Sequence, residues 1–178
     1  LRGALSRVGR IFAGKNPLGV SGGDDPMQYS CQQNFALLTT DGYWNKNNES
    51  ASYSSNDVNG DAVGNLDSDN TSRPLYEGPV AVSDSLADIA KYYYDTDLRQ
   101  SAFGNCTGKP VPPATTGLDV CANNVFVSST DTKREQHMTT FTLGLCVDGL
   151  LNDQSVYNAS TEGDDDVLKN FFSEILNW

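Results

Sequence analysis

The sequence has few of the residues from which zinc sites and many catalytic centres are built. Its 178 residues include a single histidine, His137, and four cysteines, none of them in a Cys-x-x-Cys pair. Structural zinc sites use about four Cys or His ligands, so the chain has too few suitable partners for one. His137 precedes a predicted strand and has no evident Ser or Cys partner in the sequence, so we assign it no catalytic role.

Positive charge and long apolar runs are also scarce. Twelve Lys and Arg residues stand against 23 Asp and Glu residues, which gives a formal net charge of −11. A chain this acidic repels phosphate groups, so we expect no nucleic-acid partner. No apolar run approaches the roughly 20 residues of a membrane-spanning helix, so we expect no membrane span. The acidity itself has two interpretations: a solvated extracellular surface, or carboxylate clusters that bind divalent cations.

The four cysteines indicate an oxidising compartment outside the cytosol. Cys106 and Cys121 bracket a Pro-, Gly- and Thr-rich segment, residues 107–120, that has neither helical nor strand periodicity. A disulfide that closes such a loop stabilises the fold by about 3 kcal/mol through loop entropy, so we predict a Cys106–Cys121 bridge. Cys31 and Cys146 lie at the edges of predicted strands, where each could be a buried thiol, and their pairing stays open.

Hydrophobic periodicity predicts an α/β fold. Strands separated by helices imply a parallel sheet with right-handed crossovers. Two clear strands are too few for a complete sheet, so the chain looks like the second half of such a domain. The first residue is Leu rather than Met, so we expect a processed product or a fragment. The predicted elements are helices at residues 1–13 and 164–178 and a helix that Ser83 or Ser85 caps and that runs to about residue 99. The predicted strands are at 34–40 and 137–147, with a weaker strand at 125–127, and irregular insertions lie at about 45–82 and 100–135.

The last predicted helix is strongly amphipathic. Three aspartates at its start, residues 164–166, suit the positive end of the helix dipole. Its apolar positions recur at helical spacing: Val167, Leu168, Phe171, Phe172, Ile175 and Leu176.

Four stretches of the chain resemble, in order, a known family. They are residues 1–5 (LRGAL), 30–45 (SCQQNFALLTTDGYWN), 85–99 (SLADIAKYYYDTDLR) and 136–151 (QHMTTFTLGLCVDGLL). Each stretch alone is a modest signal, but four in the same order are fairly specific. On these motifs the chain resembles the PilY family of type IV pilus tip-associated adhesin and biogenesis proteins.

The resemblance implies that residues 1–178 form the later part of one von Willebrand factor type A-like (Rossmann-like) domain. It also implies a non-enzymatic protein of pilus assembly and surface adhesion, exported through the periplasm to the pilus tip at the cell surface. The expected partners are minor pilins or the pilus tip, a host or abiotic surface, and an upstream segment that completes the sheet. Two alternatives remain: a metal-dependent hydrolase, or a purely structural extracellular spacer.

The resemblance also implies a divalent cation, Mg²⁺ or Ca²⁺, whose site is incomplete in this chain. Type A domains hold the ion with an Asp-x-Ser-x-Ser loop, a Thr and a later Asp, and only that later Asp has a match here, Asp41. Asp41 is therefore either an ion ligand or a residue that caps the following turn. The insertion that contains Asp61, Asp67 and Asp69 looks like an oxygen-rich calcium loop, but no Glu closes it. It is either a solvated turn or a second cation site.

Overall fold

Two helices and two strands form the regular part of the structure, a computed structural model. It describes residues 1–15, 25–40, 56–67, 83–108, 110 and 112–144. The predicted helix at residues 164–178 lies outside these residues. In chain order the elements are helix α1 (Arg2–Phe12), strand β1 (Asn34–Thr40), helix α2 (Leu86–Asp95), a 3-10 turn (Ser101–Phe103) and strand β2 (Met138–Gly144).

The two strands pair in parallel, which confirms the mixed α/β class. The register runs from Asn34 opposite Met138 to Thr40 opposite Gly144. Alternate side chains of a strand point to opposite faces of the sheet. The inner face of the sheet carries Asn34, Ala36, Leu38, Met138, Thr140 and Thr142, and the outer face carries Phe35, Leu37, Thr39, Thr139, Phe141 and Leu143.

The hydrophobic core lies between the inner face and both helices. Helix α1 packs against β1 and α2, and α2 packs against β2. The core residues include Leu5 of α1, Ala36 of β1, and Ile89 and Tyr93 of α2. The two helices approach closely where a Cβ on Gly9 would stand 2.3 Å from Cδ1 of Tyr93. Only glycine therefore lets the aromatic ring lie against the backbone of α1.

Helix α2 has a well-defined start and ends earlier than predicted. Ser85 accepts a hydrogen bond from the backbone N–H of Asp88, whose carboxylate accepts one from the Ser85 N–H. This capping box satisfies two backbone donors at the start of the helix. The prediction that the helix reaches Arg99 is wrong, since it ends at Asp95. The N–H of Leu98 donates to the carbonyl of Gln136 instead of bonding within a helix.

Arg99 connects α1 to the segment after α2. Its side chain is 1% exposed. The guanidinium donates to the Phe12 carbonyl at 2.8 Å, to the Asn105 carbonyl at 3.1 Å and to the carboxylate of Asp25. Each of the three guanidinium nitrogens thus donates to an oxygen, one of them a carboxylate oxygen, so Arg99 is buried without an unpaired charge.

The side chain of Asn105 completes this connection. Its amide nitrogen donates to the carbonyl of Ala13 at 2.9 Å and to that of Leu98 at 2.7 Å. Its amide oxygen accepts from the N–H of Gln100 at 3.0 Å. The end of α1 and the turn after α2 are thus held by one asparagine side chain.

The predicted strand at residues 125–127 is wrong. The N–H of Val125 donates to the carbonyl of Arg134, and the Gln33 side chain donates to the carbonyl of Phe126. These bonds go to different partners and do not form a ladder with one neighbouring strand.

Candidate functional site

The segment from Cys106 to Cys121, called the disulfide loop, is the first candidate binding surface among the described residues. A disulfide joins Cys106 to Cys121, the pair that the sequence predicts, with a Cα–Cα distance of 4.9 Å. Backbone bonds close the neck of the loop, from the Gly108 N–H to the Leu118 carbonyl and from the Val120 N–H to the Cys106 carbonyl. The tip at residues 112–116 is exposed. The loop therefore presents backbone and small side chains on a fixed base.

Asp119 lies beside the two disulfide sulfurs. The ligand atoms of Cys106, Asp119 and Cys121 lie within 4.8 Å of one another, the one such group of three in the described part of the chain. Oδ1 of Asp119 also accepts from the Cys121 N–H at 2.9 Å. Cysteine binds metals as a thiolate, and here the two sulfurs are bonded to each other. This group could therefore hold a metal only after reduction of the disulfide.

The acidic turn, residues 57–61, is organised by one carboxylate. Oδ1 of Asp57 accepts from the N–H groups of Asn59, Gly60 and Asp61 at 2.8–2.9 Å. The Asp57 N–H donates to the Asp61 carbonyl, and Gly60 has a φ of +103°, which favours glycine. The Asp57-x-Asn59-Gly60 sequence is a turn signal. Asp57 is thus the residue that shapes the turn.

The acidic residues named as calcium ligands are not brought together in the described part of the chain. Asp61 is exposed on the turn. The backbone N–H of Asp67 donates to the carboxylate of Asp88 at 3.2 Å. Neither Asp61 nor Asp67 joins a group of three ligand atoms there. Asp69 lies outside the described residues.

The acidic turn and the residues after it are fixed to both helices. Oδ1 of Asp88, which is fully buried, accepts from the Leu66 N–H at 2.6 Å. The Tyr93 hydroxyl donates to the carbonyl of Asn56 at 2.7 Å, and Ser6 of α1 donates to the same carbonyl at 2.6 Å. The described part of the first insertion is therefore held to both helices by hydrogen bonds.

A second polar cluster holds the segment that leads into β2. Nε2 of His137 lies 2.9 Å from Oδ2 of Asp131, and Nδ1 lies 2.8 Å from the Glu135 carbonyl. The Tyr94 hydroxyl donates to Oδ1 of Asp131 at 3.1 Å. Burial alone would raise the pKa of Asp131, but hydrogen bonds from His137 and from the backbone N–H of Lys133 outweigh it and hold the pKa below its usual range.

The geometry of this cluster indicates a structural role and not a catalytic one. His137 is 4% exposed, and both ring nitrogens are engaged, so neither is left to act as a base on a substrate. Residues six positions apart lie on different sides of a helix and about 20 Å apart along a strand, so neither kind of element predicts the contact between Asp131 and His137.

In an alignment of 172 positions that covers 92% of the chain, it is 32% identical to the type IV pilus biogenesis factor PilY1 of Pseudomonas aeruginosa strain UCBPP-PA14. It is 34% identical to PilY1 of Pseudomonas aeruginosa strain PAK over 158 residues, 82% of its length. The chain is related to the PilY family. It spans 13% and 12% of the lengths of these two relatives. No family model matches the chain, and no solved structure matches it.

The PilY-like motifs coincide with the packed elements of the fold. The motifs at residues 1–5, 30–45, 85–99 and 136–151 overlap or contain α1, β1, α2 and β2 respectively. These motifs therefore mark the layer that builds the core. None of the described helices has the length and apolar character needed to cross a bilayer.

The carboxyl ends of the two strands meet at one edge of the sheet. Thr40, the last residue of β1, lies opposite Gly144, the last residue of β2. Asp41 directly follows Thr40 in sequence and lies outside the described residues, so its role stays a prediction.

Proposed function

We propose that this chain is a non-enzymatic segment of a type IV pilus biogenesis factor that takes part in pilus assembly and surface adhesion. The observation that carries the proposal is the 32% identity to PilY1 over 92% of the chain. The Cys106–Cys121 disulfide supports export, because disulfides persist in oxidising compartments such as the periplasm and the cell surface. We propose that the protein acts at the pilus tip, at the cell surface.

We propose that the disulfide loop and the acidic turn form the partner-binding surface. The disulfide loop is closed at its neck, and the acidic turn is tied to α1 and α2 by the bonds at Asn56 and Asp88. A loop that is already ordered loses little conformational entropy when it binds. Minor pilins, or a surface that the pilus touches, are the partners that this arrangement serves.

We further infer that β1 and β2 belong to a von Willebrand type A-like sheet that an upstream segment completes. The parallel pairing, with α2 in the connection between the strands, supports this interpretation. Ligands of open α/β sheets bind beyond the carboxyl ends of the strands. Asp41 would contribute one oxygen ligand to a Mg²⁺ or Ca²⁺ ion there, and the upstream segment would supply the others.

The cation is tested in a protein that also carries the upstream segment. Addition of Ca²⁺ or Mg²⁺ at about 100 times its dissociation constant should stabilise the fold by about 2.7 kcal/mol. The stabilisation should disappear in Asp41→Asn and persist in Asp61→Asn, the matched control. If Asp61→Asn abolishes the stabilisation and Asp41→Asn does not, the ion binds at the acidic turn. If added cation stabilises neither variant nor the unmodified protein, the cation site is refuted.

Replacement of the matching segment tests the pilus function. This chain would be substituted for the corresponding residues of Pseudomonas aeruginosa PilY1, with an unrelated domain of equal length as the control. We expect surface pili, twitching motility and attachment of cells to be retained only with this chain. Equal piliation with the unrelated domain would indicate a spacer, and loss of pili with both would contradict the proposal.

A further inference from the structure

Three metal-binding side chains meet at the neck of the disulfide loop. The two sulfurs of Cys106 and Cys121 and a carboxylate oxygen of Asp119 lie within 4.8 Å of one another. The sulfurs are joined to each other, and cysteine binds a metal only as a thiolate. Whether reduction creates a metal site therefore depends on whether the neck keeps its shape without the covalent bond.

The neck is held by contacts other than the disulfide. The side chain of Asn105, directly before Cys106, donates to two backbone carbonyls of neighbouring segments. Val120, directly before Cys121, is fully buried, and its N–H donates to the Cys106 carbonyl at 2.8 Å. Each cysteine thus follows an anchored residue. We expect the Cα–Cα distance of 4.9 Å between the cysteines to change little on reduction.

Hydrogen bonds also hold Asp119 beside the sulfurs. Its Oδ1 accepts from the Cys121 N–H at 2.9 Å, and its backbone pairs with that of Thr107 in an antiparallel bridge. A carboxylate has about four acceptor positions, so this bond leaves others for a metal. Asp119 is exposed, so a cation can reach it from the solvent. Hydrogen bonds that orient a ligand in this way are a regular feature of metal sites.

We propose that the disulfide loop, once reduced, binds zinc through Cys106, Cys121 and Asp119. Zinc–sulfur bonds of about 2.3 Å put two sulfurs on one tetrahedral zinc about 3.8 Å apart, which side-chain rotation allows for cysteines this close. Thiolate ligands select zinc and softer cations over Mg²⁺ and Ca²⁺. Three protein ligands with water in the fourth position form an open zinc site, which does not need the four Cys or His ligands of a closed one.

A dithiol is the reductant that this site requires. Its two thiols are oxidised to a disulfide while the Cys106–Cys121 bond is reduced to two thiols. Binding of Zn²⁺ then releases two protons to water as both sulfurs become thiolates. The bound ion occupies both sulfurs and so slows their return to the disulfide. The loop therefore binds zinc only in its reduced state, and this proposal does not depend on the pilus function.

Zinc binding by the full chain tests the proposal, with Cys31 and Cys146 replaced by Ser so that only the loop sulfurs remain. A phosphine reductant opens the disulfide without adding a competing thiol, and competition with a chelating dye reports the zinc affinity. We expect one zinc per reduced chain and none per oxidised chain. Asp119→Asn should weaken zinc binding about tenfold or more, whereas Asp61→Asn, the matched change at another exposed carboxylate, should leave it unchanged.

Four results would overturn the proposal. Failure of the reduced chain to bind zinc would refute the site, and equal binding by the oxidised and reduced chains would place the ion elsewhere. Equal zinc affinities of Asp119→Asn and Asp61→Asn would remove Asp119 from the ligands. Loss of the circular dichroism signal on reduction alone would show that only the disulfide holds the neck in shape.

Discussion

Replacing Arg99 with Met tests whether its hydrogen bonds hold α1 to the segment after α2. Met preserves much of the side-chain volume but leaves the carbonyls of Phe12 and Asn105 and the carboxylate of Asp25 without their donor. Breaking a buried charged pair costs about 3–5 kcal/mol. The Asp25 side chain is 23% exposed, so water partly replaces the guanidinium there. We therefore expect Arg99→Met to lower the free energy of unfolding by about 3 kcal/mol, the lower end of that range.

Urea unfolding followed by circular dichroism measures this loss. With an m-value of about 2 kcal/mol per M, a loss of 3 kcal/mol lowers the midpoint by about 1.5 M. Arg134→Met is the control, because Arg134 is exposed and such substitutions change stability by about 0.5 kcal/mol or less. A midpoint for Arg99→Met no lower than that of Arg134→Met would refute the reasoning.

Three further changes have defined outcomes. Gly9→Ala places a Cβ against the Tyr93 ring, and this overpacking should lower the free energy of unfolding by about 1–3 kcal/mol. The loss should exceed the gain in helix propensity from Gly to Ala, so the melting temperature should fall. An unchanged or higher melting temperature would contradict this contact. Because folding holds the pKa of Asp131 below its ordinary 3.8, its carboxylate contributes stability above about pH 4 that is lost as the pH falls. Asp131→Asn should therefore flatten the decline of the urea midpoint between pH 4 and pH 2, and an equally steep decline would show that Asp131 contributes nothing. Replacing Cys106 and Cys121 with Ser should lower the free energy of unfolding by about 3 kcal/mol. A smaller decrease than that caused by Gly9→Ala would mean that other contacts hold the loop ends together without the disulfide.

The sequence predicts the elements of this fold well where local signals and packing agree. The apolar run at residues 34–40 is bounded by turn residues, and β1 occupies those positions. Ser83 and Ser85 are both capping residues, and α2 begins directly after Ser85. Cys106 and Cys121 bracket a segment with no period of its own, and they are joined. In each case the information lies within about 15 residues of chain.

Contacts between distant parts of the chain are what the sequence does not predict. Helix α2 ends early because Leu98 bonds to Gln136, 38 positions away. The contact between Asp131 and His137 is local, but it depends on an irregular loop that no helical or strand pattern marks. The predicted ion ligands also depend on distant partners: Asp61 and Asp67 join no ligand cluster in the described residues, while Asp41 and Asp69 lie outside them.

The hydrogen bonds of the Asn105 side chain affect the choice of expression host for this protein. Residues 105–107 read Asn-Cys-Thr, an acceptor sequence for N-linked glycans in eukaryotic secretion. The amide nitrogen that would carry the sugar donates to the carbonyls of Ala13 and Leu98. A glycan attached there before folding would remove at least one of those bonds and insert a bulky group between α1 and the disulfide loop. Material secreted from eukaryotic cells should therefore carry Thr107→Ala, which removes the acceptor sequence at an exposed position and leaves Asn105 in place.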